Sequence, residues 1–129
     1  MKRIILLAFL CTTTLVMAQR INHVQEAIAN YDYEAALTLI AKEKPTIPLL
    51  LQKGKAQRGL GMNTEALSTY QEIITNDTAN TRAYIEAAEC CRSLAKYQQA
   101  LKYYEHALDL NPENKYVRIQ YIGLLLSLQ

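Results

Sequence analysis

Tryptophan is absent from this chain of 129 residues, and phenylalanine occurs once, at position 9. Nine tyrosines supply the rest of the aromatic content. Glycine (4) and proline (3) are scarce, too few for a fold built from loops or for a low-complexity chain. An excess of one charge is also missing, with 14 Lys and Arg against 12 Asp and Glu, so the electrostatic footprint of a nucleic-acid binder is lacking. No stretch approaches the roughly 20 uninterrupted apolar residues that cross a bilayer as a helix. What remains is a chain of ordinary single-domain length, half of it apolar, which sets it apart from disordered sequences.

The first 18 residues read as an address. Met1-Lys2-Arg3 is basic, Ile4 through Leu10 is apolar, and Cys11-Thr12-Thr13-Thr14-Leu15-Val16-Met17-Ala18 follows. A basic start, a short apolar core and small residues at a cut site describe a secretory signal peptide, with Val16 and Ala18 set for cleavage after Ala18. A permanent anchor and a lipid on Cys11 are the rivals. The three Thr interrupt the first, and Leu10 stands where a lipoprotein signal has Gly or Ala. Removing residues 1–18 takes Lys2 and Arg3 away, leaving 12 basic and 12 acidic residues and a net charge of 0. Export, periplasmic or secreted, with no integral span after cleavage, is the expectation.

The remainder repeats itself. Thr81 to Asn114 reads TRAYIEAAECCRSLAKYQQALKYYEHALDLNPEN, 34 residues. Tyr84, Ala87, Ala88 and Cys91 recur at helical spacing, Ala95 and Tyr97 mark a turn, and Ala100, Tyr104 and Ala107 continue before Pro112. Such intervals predict two amphipathic helices. Moved back by one period, Leu50, Gly54, Gly61, Ala66, Tyr70 and Ile73 fill the places of Tyr84, Ala88, Ala95, Ala100, Tyr104 and Ala107. The pattern resembles the tetratricopeptide repeat, a 34-residue helix–turn–helix with a Trp-x2-Leu-Gly-x2-Tyr first helix followed by Ala, an aromatic, Ala and Pro. The unit at 81–114 keeps it best. In the unit at 47–80, Lys53 replaces the Leu, Gln57 the Tyr and Thr78 the Pro.

Flanking segments look like imperfect copies. Tyr31 to Ala36 parallels Ala95 to Ala100, in a first unit (about 20–46) roughly a turn short, closed by Pro45 and Pro48. Its first helix is carried by Ile21, Val24, Ala27 and Ile28. At the other end Ile119, Ile122, Gly123 and Leu126 reproduce the first-helix motif after a loop one residue longer. The fold expected is all-α, a solenoid of about three helix–turn–helix units in residues 19–129 plus a half unit or capping helix at 115–129. Helices are predicted over 20–30, 33–43, 48–60, 63–76, 81–94, 97–109 and 114–128, with Asn111-Pro112-Glu113 starting the last and Asn63-Thr64-Glu65 the fourth. Small residues such as Ala100, Ala107, Ala88 and Gly54 let helix axes approach, and Tyr84 and Tyr104 fill adjacent holes.

Residues 115–129 hold few polar groups and no wide polar face, whereas terminal repeats normally present one to water. That predicts self-association through the last helix or a longer protein.

Chemistry is hard to find. Cys90-Cys91 lacks the two-residue spacer of redox motifs and reads as small core residues. His23 and His106 have no ligand-spaced companions, and Gly59-Leu60-Gly61 lacks the remainder of a phosphate loop. Catalytic, metal and cofactor sites are expected to be none.

The resemblance implies a groove lined by the second, fifth, sixth, ninth and twelfth residues of each first helix. Here that gives Gln52, Lys55 and Arg58, then Arg82, Glu86, Glu89 and Arg92, then Gln120, Tyr121 and Leu124. Charges of both signs suit a polar peptide or simply a solvated face, and Glu86 and Glu89 oppose the tail-gripping carboxylate clamp of some relatives. The leading expectation is an exported scaffold binding a protein or peptide there. The alternatives are the amino-terminal part of a larger envelope assembly protein and, without any convergent acid–base set, a hydrolase.

Overall fold

The computed structural model describes residues 1–129 as seven helices without strands: α1 Lys2–Ala29, α2 Tyr33–Ile40, α3 Ile47–Gly59, α4 Asn63–Asn76, α5 Thr81–Ser93, α6 Tyr97–Leu110 and α7 Lys115–Ser127. Each helix packs on the next in sequence, and α1 also touches α3. Consecutive pairs therefore stack in a row, the arrangement expected from the repeat.

The period is written into the helix ends. Thr46, Asn80 and Asn114, each 34 positions after the last, accept from the backbone N–H of Leu49 (3.4 Å), Ala83 (3.1 Å) and Val117 (3.1 Å). Each side-chain oxygen satisfies one of the donors that a helix start leaves unpaired. The turns inside the units repeat too. Gly61 and Ala95 hold φ of 75° and 56°, and Tyr31 does the same in the first unit at 60°. Only glycine adopts this left-handed backbone without a steric cost.

Alanine dominates the crossings. Ala36, Ala56, Ala66, Ala83, Ala87, Ala88, Ala100 and Ala107 are all fully buried. The larger side chains that fill the space between them are Tyr70, Tyr104, Ile73, Val24 and Val117. An aliphatic side chain buried this completely contributes about 1.5–3 kcal/mol. The buried residues form two clusters. One of sixteen spans α3 to α7; one of six joins α1, α2 and one side of α3.

At three places the structure differs from the sequence expectation by more than a single end residue. α1 begins at Lys2, so residues 2–18 run without a break into the helix that carries Val24 and Ile28. It is the one helix long and apolar enough to cross a membrane, a test that signal sequences also pass. The three Thr do not interrupt it. Their hydroxyls donate to the carbonyls of Phe9, Leu10 and Cys11 at 2.9 Å, which hides their polarity inside the helix. α2 stops at Ile40, three residues early, and 41–46 forms the loop to α3.

The last helix is the third. Asn111 ends α6, and Asn114 caps α7. The loop is not lengthened, and the fourth unit follows the third at the same spacing as the third follows the second. Val117 and Leu124 therefore stand in the places of Ala83 and Cys90, and all four are buried.

The cysteines are core residues. Cys90 and Cys91 are free and fully buried. Burial pushes the Cys90 thiol up to about 12 and raises that of Cys91 as well.

Candidate peptide-binding face

The first helices of successive units, α3, α5 and α7, present one continuous face, and its charged residues are arranged by the period. Arg58 and Arg92 are both the twelfth residues of their units, with Glu86 and Gln120 sixth in the units that follow. Arg58 forms an ion pair with Glu86. Arg92 donates to the Gln120 side-chain oxygen at 2.6 Å. Each arginine thus reaches 28 positions forward to tie its unit to the next. Burial pulls the Arg58 guanidinium down, but the Glu86 charge and hydrogen bond, together with Cys90 and Tyr70 nearby, outweigh it and hold the group above its ordinary value, so it stays fully cationic.

Glu89 is held more elaborately. The hydroxyl of the fully buried Tyr104 donates to its Oε1 at 2.5 Å, and that of Tyr116 at 3.1 Å. Arg92 lies 3.6 Å from its other oxygen. Burial first, and then the bond to Glu89, raises the Tyr104 phenol. A carboxylate with this many donors is fixed in direction, and Arg92 is its countercharge.

The ten residues expected along the groove therefore divide. Arg58, Glu86, Glu89, Arg92 and Gln120 meet in clasps between units. Gln52, Lys55 and Arg82 take no part in any ion pair or side-chain hydrogen bond, and the last two are exposed. Tyr121 turns to α6, where its hydroxyl donates to Glu105 at 2.8 Å. Leu124 is a core residue, although its edge reaches a cavity of about 420 Å³ shared with Glu89, Arg92, Ser93, Tyr97 and Ser127. Both departures follow from the unlengthened loop before α7. By the observed spacing the groove positions of the last unit are Tyr116, Ile119, Gln120, Gly123 and Leu126. Tyr116, 53 % exposed, was missed by a one-residue error in register.

The clasps also change the electrostatics of the face. With both carboxylates engaged, its unpaired charges are the cations Lys55 and Arg82. The histidines lie elsewhere. His23 is 3.9 Å from Glu26, and His106 stacks on Tyr84 with ring centroids 5.4 Å apart.

Residues 81–114 match the family model of the tetratricopeptide repeat. No curated protein matches the chain in sequence. Several solved structures share its fold. The first tetratricopeptide-repeat domain of Spaghetti (RPAP3), bound to an HSP90 peptide, is similar at a TM-score of 0.80 and 20% identity, covering 86% of this chain and 91% of that one. The type III secretion chaperone SycD of Yersinia enterocolitica, in complex with a peptide of the translocator YopD, gives 0.81 and 16%, covering 88% and 95%. The OM64 tetratricopeptide-repeat domain of Arabidopsis gives 0.79 and 18%, covering 85% and 94%. The chain thus carries a tetratricopeptide repeat at 81–114 and has the fold of tetratricopeptide-repeat domains.

Proposed function

We propose that this chain is an exported helical scaffold that binds an extended, polar to acidic peptide or protein segment along the face of α3, α5 and α7. The observation that carries the reading is the pair of repeated clasps, Arg58–Glu86 and Arg92–Gln120. They fix the spacing of three helices before any partner arrives, so little ordering cost falls on the scaffold when it binds. Lys55 and Arg82 are the unpaired cations on that face and supply attraction for carboxylates. Two proteins of the same fold, Spaghetti (RPAP3) and SycD, are seen with peptides, which supports the same use here. No acid–base or nucleophile set converges on the face, and the reading is non-catalytic.

The test is a peptide array on the purified protein, followed by anisotropy titrations. Acidic peptides should bind, and Lys55→Glu/Arg82→Glu should weaken them at least about tenfold, or about 1.4 kcal/mol, with helicity unchanged. Equal binding by both proteins would overturn the assignment. Arg58→Glu is unsuitable as the probe, because it breaks a clasp.

Export belongs to the same proposal. Residues 1–20 are all exposed, so cutting after Ala18 removes no core side chain and leaves the buried Val24 and Ile28 in place. Amino-terminal sequencing of the protein from its native host should begin at Gln19; an intact Met1 in the membrane fraction would make α1 an anchor instead.

The outer face of α7 supports self-association. Ile122 and Leu125 are 47 % and 41 % exposed there, and Ile119 and Leu126 on the adjoining groove side are 68 % and 62 % exposed, an apolar surface that favours pairing with a second copy. Sedimentation at tens of micromolar should show dimer, and Ile122→Lys should return it to monomer.

A further inference from the structure

The short α2 leaves a space that the sequence fills in an unusual way. α2 has 8 residues, whereas its counterparts α4 and α6 have 14. Where the missing turns would lie, a cavity of about 470 Å³ opens between α2, α3 and α4, within the range of small-molecule sites. Its larger aliphatic lining residues are Leu37 and Ile40 of α2 with Leu49 and Leu50 of α3, beside Ala41 and Pro45 of the loop.

Two polar residues of α3 also border it, Lys53 and Gln57. One period later those places are held by Ala87 and Cys91, both fully buried. The two positions where this unit departs from an apolar register thus converge on one cavity. They are one helical turn apart on the same face of α3. Lys53 forms no ion pair. Gln57 accepts the Thr69 hydroxyl at 2.7 Å through its side-chain oxygen, which leaves its amide N–H groups free to donate into the cavity. Of the two acids at the rim, Glu43 is bound to Arg20 at 2.7 Å, and Glu72 is exposed to water.

We propose that this cavity binds an apolar carboxylate, a compact aliphatic or aromatic acid. Its hydrocarbon part rests on the four aliphatic side chains, and its anionic end meets the Lys53 ammonium and the Gln57 amide. Lys53 is half-buried, with a cationic end beside the aliphatic wall, and a ligand carrying both chemistries matches both surfaces at once. The site lies on the α2–α4 side of α3 and is independent of the proposed peptide-binding face.

The experiment titrates the full chain with 4-methylpentanoate, with its primary amide and with a short peptide ending in a leucine carboxylate, following methyl NMR signals of Leu37, Ile40 and Leu49. The acid should give saturable shifts and bind about tenfold more tightly than the neutral amide. Lys53→Met should erase that preference and Lys53→Arg should keep it. If the peptide binds more tightly than the free acid, the carboxylate comes from a chain end; the reverse order assigns a free acid, and both orders support the site. Equal affinity for acid and amide in the unmodified protein, or no saturable shift of these methyls, would overturn the proposal even where a variant fails to fold.

Discussion

Gly54 lies under the tip of the Tyr70 ring, so close that a Cβ added to it would stand 2.5 Å from the ring Cζ. The contact joins α3 to α4, and Tyr70, 1 % exposed, has no room to withdraw. In a helix interior, replacing Gly by Ala normally gains about 0.5–1 kcal/mol, whereas overpacking a filled core costs about 1–3 kcal/mol. The second effect wins here. Gly54→Ala should lower the midpoint of urea unfolding by the equivalent of about 1–2 kcal/mol, and an unchanged or raised midpoint would show that the ring yields.

Ala100 makes the matching test in the third unit. It is fully buried in the larger cluster, at the crossing of α6 with its neighbours. Ala100→Leu should destabilise by about 1–3 kcal/mol, read as a lower Tm. A substitution to Leu at the exposed Lys102 two residues on should leave the transition within about 0.5 kcal/mol.

The turns separate backbone strain from packing. Ala95 holds φ 56° where the preceding unit has Gly61 at 75°. An L-residue in that conformation costs about 1–2 kcal/mol, of which glycine's greater freedom in the unfolded chain returns about 0.5–1 kcal/mol. Ala95→Gly should therefore stabilise by about 0.5–1 kcal/mol. Gly61→Ala should do the opposite, and purely through the backbone, since nothing lies within 4 Å of the added Cβ.

Alkali should unfold the protein through its core. The Cys90 thiol is raised to about 12 by burial, so the unfolded chain releases that proton first. The stability it contributes is complete below about pH 8.5, the unfolded value, and is lost as pH climbs toward 12. One such group sets a slope of up to about 1.4 kcal/mol per pH unit. Tyr70 and Tyr104, also raised by burial, extend the loss above about pH 10. Urea midpoints between pH 7 and 11 should fall, and less steeply in Cys90→Ala. A thiol reagent should label native protein no faster than it unfolds.

Much of the architecture was legible because the period is carried by residues with one physical role each. Gly61 and Ala95 mark turns, Ala66 and Ala100 mark crossings, and Tyr70 and Tyr104 fill holes. The end of the last repeat misled for a local reason. Asn111 followed by Pro112 is a good helix start in isolation, and so is Asn114; only the series Thr46, Asn80, Asn114 separates them. The early stop of α2 leaves no local mark, since the residues from Lys42 to Lys44 suit a helix as well as a loop.

The candidate face was harder to foresee. A list of groove positions treats Arg58 and Glu86 as two ligand contacts, whereas in three dimensions they satisfy each other. The separation of 28 positions is invisible to any helical period and appears only when two units are stacked. Lys53 and Gln57 were visible as departures from the repeat, but the cavity that gives them meaning depends on the length of α2.

The division of the interior into two clusters that meet along α3 has a mechanical consequence. Six buried side chains hold the α1–α2 hairpin, and sixteen hold everything beyond it. A load applied at the amino end would peel that hairpin away first, while the helices bearing Lys55 and Arg82 stay assembled. Local opening should therefore begin in the amino-terminal pair, and hydrogen exchange in α1 and α2 should be faster than in the helices beyond them.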